Sequence, residues 1–149
     1  MGRPEDTTGN HVVTSNHTRP RIERLALLYL QLAEAAANRR AMDTRNRLLL
    51  LAGRSAHIAG WANEADQCRE LVLRNNPRHL IGKHSSFADA LIATDYEAFD
   101  RQLQRSCPQE KAEHLATVQN IETEVAQNEP PRLLAHDILS RLTTAPTES

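Results

Sequence analysis

The segment from Thr44 to Ala59 is apolar on almost every side. Four consecutive leucines, Leu48 to Leu51, are followed by Ala52, Ala56, Ile58 and Ala59. Adjacent residues of a helix point in different directions around its axis. As a helix, this segment therefore keeps no wide face for water and must lie between neighbours. As a strand it would call for β-branched and aromatic residues, and the chain is poor in both. Only five of its 149 residues are aromatic, and the 40% that are hydrophobic are mostly Leu and Ala, which favour helix over strand. Five glycines leave little material for hairpin turns or phosphate-binding loops. The chain is predicted to be all-α, with one enclosed helix and enough length for a single domain with its own core.

Seven helical segments are expected between a polar N-terminal tail (1–19) and a C-terminal tail (143–149), both predicted to be disordered, so that one domain spans 20–142. The first segment starts at Pro20, a residue suited to the first helical position, and runs to Ala41. Its stripe is Ile22, Leu25, Tyr29, Leu32 and Ala36. The second is the enclosed segment, and Gly60 ends it. The third runs from Trp61 to Arg74 and stops at Asn75-Asn76-Pro77. A fourth is predicted from Asn76 to Ala93, with Leu80, His84, Phe87 and Leu91 inward. Asp95 caps a fifth, from Tyr96 to Arg105. A sixth runs to Gln127 on Leu115, Val118, Ile121 and Val125. The last starts at Pro130-Pro131 and buries Leu133, Leu134, Ile138, Leu139 and Leu142. Short connections imply antiparallel neighbours.

The second and third segments carry small and turn-forming residues at regular spacing. Gly53 falls seven before Gly60, Ala65 five after it, and Pro77 twelve after that. A pair of helices crossing closely needs small residues at the crossing, and Gly60 permits a sharp reversal. The run Leu50-Leu51-Ala52-Gly53, then Gly60, Glu64-Ala65 and Asn76-Pro77 resembles one tetratricopeptide repeat, over about 45–77. A degraded second copy covers about 78–108, in which Glu97-Ala98 echoes Glu64-Ala65 at an offset of 33. Leu49 and Ala56 stand where that family usually has aromatics. The resemblance implies helical hairpins stacked as a short right-handed solenoid, with a compact bundle as the alternative. It also implies a concave groove lined by the first helix of each hairpin. Arg47, Leu50, Arg54 and His57 would face that groove, joined by Lys83 and Phe87.

Formal net charge is −1, so no global field draws the chain to nucleic acid or membrane, but the charge is unevenly placed. Eight arginines lie between Arg19 and Arg54 against three acids, while Asp89 to Glu129 holds nine acids against three basic residues. A groove with Arg47, Arg54 and Lys83 suits an acidic peptide or a chain-terminal carboxylate. The function expected is a non-catalytic protein-interaction or scaffold module, binding such a segment or associating with itself. The alternative is nucleic-acid binding through Arg39, Arg40, Arg45, Arg47 and Arg54, which would show steep salt dependence. Scarce aromatics for base stacking weigh against it.

No Walker loop, GxSxG, HExxH, GxGxxG or zinc-ribbon spacing occurs, and neither an enzyme activity nor a cofactor is expected. His79 and His84 are five apart, and Cys107 and His114 seven apart, so neither pair shares a helix face squarely. His57 and Cys68 sit on paired helices. These residues are read as surface or core groups, not as metal ligands, and the two cysteines as partly buried thiols. With no apolar leader and no membrane-length apolar run, the chain is expected to be cytoplasmic.

Overall fold

The computed structural model describes residues 5–122 and 129–145, with side chains from residue 18 onward. Seven α-helices occur among them: α1 (Glu5–Asn38), α2 (Met42–Ile58), α3 (Ala62–Asn75), α4 (Phe87–Leu91), α5 (Thr94–Ser106), α6 (Gln109–Val118) and α7 (Pro131–Thr144). A 3-10 helix, Leu80–Lys83, precedes α4. No strand occurs among the described residues, and none of their helices is long and apolar enough to cross a membrane.

α2 is the enclosed helix that its leucines demand. Leu48 to Ala52 are buried, as are Gly53 and Ala56. α1 and α3 flank it, and α4 and α5 cover more of it. α7 then packs on both α1 and α3, so that α1, α2, α3 and α7 form a closed ring of four helices. This return of the last helix to the first makes the architecture a compact bundle. α6 lies outside the ring against α1.

Three chain reversals use one device. Arg40 (φ 63°), Gly60 (φ 89°) and Asn120 (φ 58°) are left-handed. In each case the next amide donates to an alanine carbonyl five residues back: Ala41 to Ala36, Trp61 to Ala56 and Ile121 to Ala116. This is the Schellman end of a helix. Gly60 takes the left-handed conformation without steric cost, whereas Arg40 and Asn120 do so as non-glycines.

The structure departs from the sequence expectations at four places. α1 begins at Glu5, ahead of Pro20, which lies inside the helix and removes one N–H from its ladder. The fourth segment is not one helix. His79 Nδ1 accepts from the Ile81 amide and Ser86 Oγ from the Asp89 amide, so side chains start two short helical pieces where one was expected. α6 stops at Val118 because Asn120 turns the chain, and its buried face is Ala112 and Ala116, with Val118 62% exposed. The expected continuation through Val125 to Gln127 lies outside the described residues, as do 1–4 and 146–149 of the two tails. In α7, Leu133 is 56% exposed and Ala135 takes a core position.

Gly53 holds the enclosure together at its tightest point. A Cβ there would stand 2.8 Å from Phe87 Cδ2 and closer still to Cε2, so the ring of Phe87 packs against bare backbone. Polar groups at the start of α2 are buried as well. Arg45 is 2% exposed. Its Nε and Nη2 donate to Asn46 Oδ1 at 3.2 and 2.9 Å, and Nη2 also donates to the Leu71 carbonyl at 2.9 Å. Asn46 in turn donates to Asn75 Oδ1 at 2.7 Å. The guanidinium thus sits at the C-terminal end of α3, where the helix dipole favours a cation. Burial, and secondarily the charge of Arg74, lower its pKa.

Gly53→Ala is expected to destabilise the fold by about 1–3 kcal/mol through overpacking, measured by urea unfolding. Combination with Phe87→Leu should recover part of that loss. Arg40→Gly is expected to raise stability by about 0.5–1 kcal/mol in the same assay, because glycine carries no left-handed penalty.

Candidate functional site

Three elements converge on a cleft beside α2. Thr44, Arg47, Leu48 and Leu51 follow one another at spacings of three, one and three, which keeps them on a single face of α2. Lys111, Leu115 and Gln119 repeat every four residues along α6 and its cap. Leu32 and Arg39 come from α1 and the turn after it, and Ser106 and Cys107 from the end of α5. Together they line a cleft of about 340 Å³. Its floor is apolar (Leu32, Leu48, Leu51, Leu115 and the Cys107 thiol). Its rim is cationic (Arg39, Arg47 and Lys111), and no carboxylate stands among the lining residues.

The cations of the rim spend their hydrogen bonds on neutral groups. Arg47 Nη2 donates to Thr44 Oγ1 at 3.3 Å, Arg39 Nη1 to Gln119 Oε1 at 3.5 Å and Lys111 Nζ to the Ser106 carbonyl at 3.0 Å. Among the described residues none of the three forms an ion pair. Three like charges around an apolar floor focus a positive potential there. The α5–α6 connection that supplies Cys107 is tied to α1 by Tyr29, whose hydroxyl donates to the Cys107 carbonyl at 2.5 Å. Burial pushes the Tyr29 phenol up to about 12, with Cys107 adding to the shift and Arg54 opposing it. The Cys107 thiol is also raised by burial, and the Lys111 ammonium opposes that shift. Burial raises Cys68 far more, assisted by Glu64.

The structure distributes the six residues expected around a concave groove. Arg47 lines the cleft and is exposed. Leu50 (1% exposed) and Phe87 (0%) are core residues, because Gly53 lets the Phe87 ring fill the space where a groove would run. Arg54 is paired with Asp100 of α5 at 3.1 Å. His57 is half-buried in the last turn of α2, and Lys83 is exposed at the end of the 3-10 helix. The basic cluster expected for nucleic acid is divided in the same way, since Arg45 is buried and Arg54 neutralised by Asp100. Sequence reasoning did not bring in Arg39 as a partner of Lys111. The four-residue repeat of Lys111, Leu115 and Gln119 is the local signal for the face that α6 turns to the cleft.

Among the described residues no group of three or more His, Cys, Asp or Glu side chains is placed to hold a metal ion. His79 accepts a backbone N–H and meets the Phe99 ring edge-on at 5.3 Å. His84 Nε2 lies 3.0 Å from Asp95 Oδ1. The chain matches no family model, no curated protein and no solved structure.

Tyr29 gives the site a pH signature. Its folded pKa of about 12 lies above the ordinary 10.0, so its contribution is complete below pH 10 and is lost as pH rises through 12. Stability is expected to fall by up to about 1.4 kcal/mol per pH unit in that window from this group. Tyr29→Phe should flatten the fall in alkaline unfolding followed by circular dichroism.

Proposed function

We propose that this domain is a non-catalytic protein-interaction module whose cleft between α1, α2 and α6 holds an acidic peptide segment. The observation that carries the reading is the cationic rim of Arg39, Arg47 and Lys111 over an apolar floor free of carboxylates. Acidic side chains would satisfy the rim, with charge-assisted hydrogen bonds to the guanidinium groups. An apolar side chain between them would displace water from Leu32, Leu48, Leu51 and Leu115. A volume of about 340 Å³ is at the small end of ligand clefts, which fits one or two anchoring residues of a peptide. The reading includes an α2–α3 hairpin of tetratricopeptide-repeat type and action in the cytoplasm. Nucleic-acid binding is less well supported, since phosphate contacts would have to come from a cluster that has Arg45 in the core.

The test is fluorescence anisotropy with labelled peptides containing Glu and Leu in alternation, against matched peptides with Gln for Glu. Arg47→Glu and Lys111→Glu are each expected to weaken binding roughly tenfold or more, and rising salt should weaken it further. Lys83→Glu, remote from the cleft, should change it little. Equal affinity for the Glu and Gln peptides, or full affinity in both cleft variants, contradicts the reading.

A further inference from the structure

Four large apolar side chains stand exposed among the described residues: Ile58, Ile92, Val118 and Leu133. Ile92, at the end of α4, is the most exposed at 84%. It alone has a carboxylate within three residues, and it has one on each side, Asp89 and Asp95. Leu133 instead adjoins Arg132, which is committed to Glu64 of α3 at 3.0 Å. The α4–α5 corner around Ile92 is held in place from several directions. The Asp89 amide donates to Ser86 Oγ at 3.0 Å, and Ser85 Oγ donates to Asp89 Oδ2 at 2.7 Å. His84 Nε2 donates to Asp95 Oδ1 at 3.0 Å. Beneath the corner Tyr96 is fully buried, and the Phe99 ring meets those of Tyr96 and His79 with centroids 5.4 and 5.3 Å apart. Asp89 and Asp95 nevertheless remain exposed, and no Lys or Arg lies between Asp89 and Glu97. The corner thus presents an acid, an isoleucine and a second acid on a preorganised frame, which lowers the ordering cost of binding.

We propose that the cationic cleft of one copy takes the α4–α5 corner of a second copy, so that copies of this chain join head to tail. Ile92 would lie over the leucine floor, with Asp89 and Asp95 at the rim of Arg39, Arg47 and Lys111. This inference rests on the acidic-peptide reading of the cleft and names its occupant. The two surfaces complement each other in charge and in polarity. The cleft sets cations, and no carboxylate, around an apolar floor. The corner sets carboxylates around an exposed apolar side chain. A chain cannot satisfy its own cleft in this way, because α5 holds the two surfaces apart. Ser106, its last residue, lines the cleft, whereas the corner stands at its first. The thirteen residues of α5 put about 18 Å between its ends. The corner that fills a cleft therefore belongs to another molecule. Because the two surfaces differ, the contact is heterologous, and each added copy leaves one cleft and one corner open unless a ring closes.

The test uses the full-length chain and two variants, Arg47→Glu, which spoils the cleft, and Ile92→Ser, which spoils the corner. Both positions are exposed, so both variants are expected to fold, as checked by circular dichroism. Sedimentation velocity of the wild-type chain from about 10 μM to about 1 mM is expected to show association that weakens as salt rises. Each variant alone should associate roughly tenfold more weakly or less. Mixed in equal amounts, the two should form a dimer and nothing larger, because one intact cleft and one intact corner remain between them. A wild-type chain that is monomeric throughout overturns the proposal. So does association untouched by Ile92→Ser, or a mixture no richer in dimer than its components. Anisotropy with the Glu- and Leu-containing peptide on the same samples separates the two claims. Peptide binding by a wild-type chain that stays monomeric overturns self-assembly and leaves the cleft reading standing. Absence of both peptide binding and association overturns the two together.

Discussion

The enclosure of α2 is the constraint on which the rest of the structure depends. Its leucines leave no face for water, so α1, α3, α4 and α5 must all reach it. Bare backbone at Gly53 admits the Phe87 ring, and the buried Arg45 and Asn46 tie the start of α2 to the end of α3. A buried cation is costly unless its donors find acceptors. Here an amide oxygen and a helix-terminal carbonyl supply them, which fixes where α2 and α3 meet more narrowly than leucine packing alone. Once these neighbours are in place, the side of α2 bearing Thr44, Arg47, Leu48 and Leu51 is the one left beside a cleft.

The closing helix gives the domain a second kind of order. α7 joins α1 to α3 through apolar contacts in the middle and Arg–Glu forks towards its ends. The half-exposed forks add modest stability, yet they specify register, because a slipped helix would leave Glu64, itself nearly buried, without its partner. Charge therefore serves different purposes on the two sides of the molecule. Around α7 it is matched and inward-looking, and around the cleft it is unmatched and open.

Much of the fold was legible in the sequence, because burial and turn chemistry leave local signatures. The Leu48–Leu51 run marked the enclosed helix, Gly60 the left-handed reversal, and Pro131 the start of α7. Other features leave no trace in composition or hydrophobic period. Arg40 adopts a conformation that glycine usually takes, and Asn120 one that asparagine enters more readily than most non-glycines. The break before α4 comes from His79 and Ser86 bonding nearby backbone, which competes with a continuous helix. The most buried face of α6 is Ala112 and Ala116, with Leu115 and Ile121 packed beside it, so among the described residues of the expected stripe only Val118 turns outward. At the candidate site, Arg47, expected beside a groove by the repeat resemblance, lines the cleft. Arg39 and Lys111 come from segments some seventy residues apart and meet only after α6 folds back on α1. Leu50 and Phe87 looked like groove residues because a helical hairpin from sequence does not reveal what fills the space beside Gly53.

Amide chemical-shift mapping by NMR, as a Glu- and Leu-containing peptide is titrated into the full-length chain, tests the central claim most directly. The account predicts shifts concentrated in 39–51 and 106–119, the two stretches that bring Arg39, Arg47 and Lys111 around the leucine floor. Shifts centred instead on His57 and Lys83, or spread evenly over the surface, would contradict it.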